Sequence, residues 1–118
     1  MIFERRKTMA TYLVQTSYTQ QALAALVKNP QNRTEPIRKA VEKLGGTLVG
    51  LWLSFGKHDV VCMVDMPDNI AAAAMAIAVA AGGAVQNTHT TPLLSVDEGI
   101  TALKKAAGSG YKPVTKKK

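Results

Sequence analysis

The side chains best suited to chemistry are a His-Asp pair in the middle of the chain. His58 and Asp59 follow Gly56 in a short polar segment between two apolar stretches. Imidazole exchanges protons near neutral pH, and a carboxylate can orient it for that task. Because neighbouring strand residues point to opposite faces, a direct dyad requires a turn that breaks this alternation. The alternative is that Asp59 binds turn amides while His58 is half exposed.

A second histidine lies in a polar segment later in the chain. If residues 84–91 form a strand, His89 shares a face with Val85 and Asn87. Where that face lines a space between two sheets, His89 borders a pocket; otherwise it belongs to a solvated strand or to an interface. The sequence assigns no catalytic residue, and the predicted ligand-binding set is Trp52, His58, Asp59, Asn87 and His89.

The spacing of the residues gives little support for a metal site or for nucleophilic catalysis. Among His58, Asp59, Cys62 and His89, no pair has the close spacing of a known ligand motif. Cys62 alternates with valines on either side, a pattern typical of a core position. No serine lies in a G-x-S-x-G elbow. We therefore expect neither a metal nor a cofactor.

The segment around these candidates predicts a β-hairpin with strands at Thr47–Phe55 and Val60–Met66. Period-2 alternation separates Trp52 and Leu48 from a second apolar set, which we expect to pack against helices: Val49, Leu51, Leu53 and Phe55. Both faces of the hairpin are thus apolar, whereas strands with one wet face alternate apolar with polar residues. Helices can cover one face of a small sheet, so we expect a partner subunit or a ligand on the other.

The flanking segments complete the predicted element order. A first strand is expected at residues 11–16 and the last at residues 84–91, where Pro92 excludes a central position in the sheet. Helices are expected at residues 20–28, from about residue 34 to Gly45, and at residues 70–81. The order is β-α-β-β-α-β, typical of the ferredoxin-like α+β fold with an antiparallel sheet. Sheets packed face to face, as in dimeric α+β barrels, would cover the second face.

Three of the helices have a predicted buried side. In the second helix it contains Ile37, Ala40, Val41 and Leu44. Ile70, Ala74, Ile77 and Ala81 share one side of the third helix, and Met75 and Val79 broaden it. Ser95 and Glu98 form a capping-box pattern that opens a C-terminal helix, with Ile100 and Leu103 expected to point inward.

Charge and length limit the classes of partner. The net charge of +7 belongs mainly to the ends, since residues 9–111 carry eight basic and seven acidic groups. Nucleic-acid binding is therefore not expected of the folded part. One cysteine allows no intramolecular disulfide and fits a reduced, cytoplasmic setting. No signal peptide is expected, and the apolar run of about twelve residues is too short to span a membrane.

Several segments resemble the GYD domain family of small bacterial proteins. The segments are Met9–Val14, Ser17–Thr19, Ala40–Gly46, Trp52–Val61, Met66–Asp68 and Thr90–Leu93. The resemblance covers about residues 10–108, which is most of the chain. In the signature for which the family is named, His58 stands here where Tyr is usual. The resemblance implies a fold like that of dimeric α+β barrels and brings no assigned activity. We expect an extension at residues 1–8, one domain at 9–110 and a basic tail at 111–118.

Three roles remain open from the sequence. The first is a regulatory or self-assembling homo-oligomer, dimeric or larger, that uses the second sheet face. The second is an enzyme or carrier of the dimeric α+β barrel class, with a small apolar or aromatic ligand. The third, a binder of nucleic acid or of acidic surfaces through the tails, has the least support because the charge lies outside the folded part.

Overall fold

The structure is a computed structural model that describes residues 9–115. The predicted extension Met1–Thr8 and the last three residues of the basic tail lie outside this range. The elements in chain order are β1 (Ala10–Tyr18), α1 (Gln20–Lys28), α2 (Thr34–Lys43), β2 (Thr47–Leu53), β3 (Val60–Met66), α3 (Asn69–Ala81), β4 (Val85–Leu93) and α4 (Val96–Ala107).

The four strands form one antiparallel sheet in the order β2-β3-β1-β4. This confirms the predicted α+β class and its antiparallel sheet. β4 lies at an edge, where the missing N–H of Pro92 interrupts no inner ladder. The strand continues through Leu93, two residues further than predicted.

The hairpin of β2 and β3 is confirmed, but the predicted division of its faces is partly wrong. A register shift between Leu48 and Gly50 inserts a bulge into β2. A bulge breaks the period-2 alternation, so Leu48 is buried on the helix side while Trp52 faces the other side. Of the set expected to pack against helices, Leu51 joins the core. The other three members are exposed: Val49, Leu53 and Phe55.

The core lies between the sheet and the helices α2 and α3. It is small, and its buried hydrophobic residues are Tyr12, Val41, Leu48, Val60, Cys62, Val64, Met66 and Ala72. In α2, Val41 is fully buried, and Ile37 and Leu44 pack beside the core as their helical spacing predicts. The core position predicted for Cys62 is confirmed.

The stripe predicted for α3 is partly wrong, and the stripe predicted for α4 is wrong. α3 packs through Ala71, Ala72 and Met75, whereas Ile70 and Ile77 are exposed. Alanine dominates α3, so its apolar character hardly varies around the axis and the sequence gives no preferred side. In α4 every residue except Gly99 is exposed. α4 is therefore an amphipathic helix whose apolar side, with Ile100 and Leu103, is exposed.

The helix ends follow their local chemistry. The side chains of Thr19 and Asp68 accept hydrogen bonds from backbone N–H groups in the first turns of α1 and α3. Ser95 and Glu98 form the predicted capping box of α4. Gly45, with φ of +87°, closes α2 in the left-handed conformation. Within residues 9–115, no helix is both long and apolar enough to cross a membrane.

Candidate functional site

The face of the sheet opposite α2 and α3, which we call the open face, carries the candidate residues Trp52 and His89. Residues paired across antiparallel strands lie on the same face, and one row crosses all four strands: Trp52, Val61, Gln15 and His89. Trp52 and His89 are thus at opposite ends of this row. With a strand spacing of about 4.8 Å, they are roughly 14 Å apart. They therefore do not form one compact pocket within a single subunit.

Asp59 ties the hairpin to β1 through two backbone groups and closes the hairpin itself through a third. Its Oδ2 accepts a hydrogen bond of 2.9 Å from the N–H of Tyr18. Its own N–H donates to the carbonyl of Thr16, and its carbonyl accepts from the N–H of Ser54, each at 2.9 Å. Asp59 therefore binds backbone amides, as the structural alternative predicted, although the amide bound by its carboxylate belongs to β1. Within the described residues no hydrogen bond joins it to His58.

His58 instead meets a serine that the sequence analysis did not single out. Its Nδ1 lies 3.3 Å from the Oγ of Ser17, and the same hydroxyl lies 3.3 Å from the carbonyl of Lys57. Ser17 is buried, and it precedes the point where β1 shifts register against β4. Its sequence signal was ambiguous, because a serine before a helix is equally a capping residue.

The two histidines lie together at this end of the sheet. The ring centroids of His58 and His89 are 5.1 Å apart in an edge-to-face arrangement. Asn87 is exposed on β4 opposite Ser17. The structure thus groups four residues into what we call the polar corner: Ser17, His58, Asn87 and His89. Of the predicted set, Trp52 lies apart from it, and Asp59 has a structural role beside it.

The polar corner has the means to bind a polar group of a ligand. Two imidazoles and a hydroxyl supply donors and acceptors that a polar group of a ligand can share. Within residues 9–115 no group of three or more His, Cys, Asp and Glu side chains is placed to hold a metal ion. Cys62 lies on the other side of the sheet, where burial raises the pKa of its thiol to about 11. It is therefore protonated at neutral pH and is a poor nucleophile.

Trp52 lies flat against its own strand. A Cβ atom added to Gly50 would fall 2.5 Å from Cη2 of the indole, so the ring occupies the space that Gly50 leaves open. The Trp52 side chain is still 53% exposed. Next to it on the open face are the half-buried side chains of Val61, Met63 and Leu13. Together these four residues form a continuous patch that we call the apolar patch.

Comparison with known proteins identifies the family. None of the curated proteins compared with the chain matches it. The profile described as GYD domain matches residues 12–103, which include the whole sheet beyond its first residues and most of α4. The resemblance read from the sequence is confirmed. Because this match extends over well more than half of its length, the chain belongs to the GYD domain family.

Proposed function

We propose that this GYD domain is a self-assembling unit in which two copies pack their open faces together. The single observation that carries the proposal is the apolar patch. Leu13 pairs with Met63, and Trp52 pairs with Val61, so the four side chains are contiguous across three strands. The helices in contact with the sheet leave this patch uncovered. An apolar patch of this kind is typical of a surface that associates.

The topology supports the same arrangement. The strand order β2-β3-β1-β4 is the one a ferredoxin-like fold would have, and such a sheet carries its helices on one face and leaves the other face free for a partner. A two-fold axis over the open face would place each apolar patch against its equivalent. The hydrogen bond of 2.6 Å from Thr11 to Asp65 and the polar corner would then form a polar rim.

Sedimentation of charge-insertion variants tests this proposal. Met63→Lys places a charge in the apolar patch, and the variant should sediment as a monomer at concentrations where the wild-type chain is a dimer or larger. Ile77→Lys adds the same charge at an exposed apolar residue of α3 and should leave assembly intact. Loss of assembly in Ile77→Lys but not in Met63→Lys would show that the interface lies on the helices and not on the open face.

A second candidate function is favoured by the polar corner. His58, Ser17 and His89 border the same open face, so assembly would enclose them beside apolar surface. Such a site suits an enzyme or carrier for a small apolar or aromatic compound with one polar group. Phenol is a suitable probe: it should shift the ring signals of both histidines in NMR spectra of the assembled protein, and the shifts should vanish in His58→Ala. Unchanged histidine signals would exclude phenol binding at the polar corner, and assembly would remain the proposed function of the open face.

A further inference from the structure

A cavity of about 320 Å³ lies on the covered side of the sheet, between α2 and α3. β1 and β3 supply its floor through Val14, Val60, Cys62 and Val64. Ile37 of α2 borders it on one side, and Met75 and Val79 of α3 border it on the other. The cavity is separated from the open face by the thickness of the sheet, so its use does not depend on assembly.

The cavity has an identifiable cause in the sequence. α2 contacts β2 while α3 contacts β4, so the two helices rest over opposite edges of the sheet. The α3 side is lined by Ala72, Ala76 and Ala78, whose methyl groups do not fill the gap between the helices. Protein interiors are normally packed with few voids larger than a water molecule. A space of about 320 Å³ instead lies within the range of small-molecule sites.

The side chains that line the cavity determine which class of ligand it could bind. Apart from the hydroxyls of Thr16, Tyr18 and Thr90 and the thiol of Cys62, the side chains in contact with the cavity are apolar, with one exception. The exception is Arg33, the only charged side chain among the lining residues in the described part of the chain. No carboxylate of residues 9–115 lines the cavity, so a cationic ligand would find no counter-charge among them.

Arg33 lies where a ligand would enter. It immediately precedes α2, and it also lines a wider groove of about 940 Å³ that shares Ile37, Leu51 and Val60 with the cavity. Its Nη1 donates to Oε1 of the exposed Gln31 at 3.1 Å, and this acceptor is uncharged. A guanidinium at the mouth of an apolar space is suited to the carboxylate of a ligand whose body lies inside.

We propose that this cavity binds a monocarboxylic acid with an apolar body, the body between α2 and α3 and the carboxylate at Arg33. An uncharged molecule of the same shape gains the apolar contacts without the ion pair. The affinity for the acid should therefore exceed that for the matching alcohol by about tenfold, which is the effect of one favourable charge-assisted contact.

Octanoate and octan-1-ol are the probes for this test, added to the full chain labelled with ¹⁵N and followed by amide NMR shifts. Octanoate should bind saturably, with the largest shifts at the amides of Cys62, Ala76 and Arg33. Arg33→Gln should weaken octanoate about tenfold, to the level of octan-1-ol, and leave the alcohol unaffected. Lys39→Gln removes a cation from an exposed position of α2 outside the cavity and should change neither affinity.

A second pair of variants tests the volume independently of the charge. Ala76→Leu fills the cavity from α3 and should abolish binding of both probes while the chain stays folded. Ala73→Leu makes the same change at an exposed position of α3 and should bind as the wild type does. The proposal is overturned if neither probe binds saturably, if Ala76→Leu still binds, or if the shifts centre on Leu13 and Trp52. Sedimentation of the same samples reports the open-face assembly separately.

Discussion

The indole of Trp52 lies over Gly50, two residues earlier in the same strand. A side chain at Gly50 would collide with the ring, since its Cβ would come within 2.5 Å of Cη2 and 2.9 Å of Cζ2. The glycine follows the bulge in β2 that turns Trp52 away from the helices. The two residues thus fix a large apolar ring flat on the open face, where it adds area to the apolar patch.

Gly50→Ala should therefore weaken assembly. The new methyl group forces the indole to leave the strand, so the apolar patch loses its flat edge. We expect the dimer dissociation constant to rise by about tenfold, measured by sedimentation over a dilution series. Gly56→Ala is the control, because a Cβ at that position meets no atom within 4 Å. Equal dissociation constants for both variants would contradict a role for the ring position.

The carboxylate of Asp59 should contribute to stability. Asp59→Ala leaves the N–H of Tyr18 without its acceptor at a half-buried site. We expect the free energy of unfolding to fall by about 1–3 kcal/mol, measured by urea denaturation. Asp59→Asn keeps one side-chain oxygen as an acceptor and should lose less. If the two variants were equally destabilised, the hydrogen bond would not be the cause.

The thiol of Cys62 should make stability depend on pH in the alkaline range. Burial raises its pKa from 9.0 to about 11, so deprotonation is easier in the unfolded chain than in the folded one. This stabilising contribution is complete below pH 9 and is lost as the pH rises from 9 to about 11. The free energy of unfolding should fall over that window.

Cys62→Ala separates this effect from the titration of other groups. The difference in unfolding free energy between wild type and variant should be constant below pH 9 and should shrink from pH 9 to 11. A difference that stays constant up to pH 11 would show that folding does not raise the pKa of the Cys62 thiol.

Ser95 should control local order in α4 more than global stability. Ser95→Ala removes the acceptor for the N–H of Glu98 and opens the capping box, at a cost of about 1 kcal/mol to the helix. Because α4 is exposed along its length, the loss should appear as faster hydrogen exchange within residues 96–107. The global unfolding midpoint should remain the same. A matching drop in that midpoint would show that α4 is packed against the core or a partner.

Local chemistry made much of the fold predictable. The helix starts at Thr19, Asp68 and Ser95 and the stop at Gly45 follow from short-range hydrogen bonding and backbone preference. The family could be recognised because its motifs are short local segments, which lie in β1, at the end of α2, in the hairpin, before α3 and in β4. The side of α3 that packs against the sheet could not be predicted from the local pattern, because a run of alanines has no preferred face.

The site depended on contacts between distant residues. The bulge before Gly50 places Leu48 on the face opposite to the one predicted. Apart from Gly50 itself, no residue of this stretch indicates a bulge. Ser17 and His58 are 41 positions apart, and they meet because Asp59 ties the hairpin to β1. The predicted set therefore divides into His58, Asn87 and His89 at the polar corner, Asp59 in a structural role, and Trp52 in the apolar patch.

The most direct test of the proposed assembly uses Trp52 as its reporter, since it is the only tryptophan of the chain. Its fluorescence should be recorded over a dilution series beside sedimentation of the same samples. If open faces pack together, emission is blue-shifted in the assembled state and moves to the water-exposed wavelength at the concentration where the assembly dissociates. Water-exposed emission from an assembled sample, or a monomer at every concentration, would contradict the account.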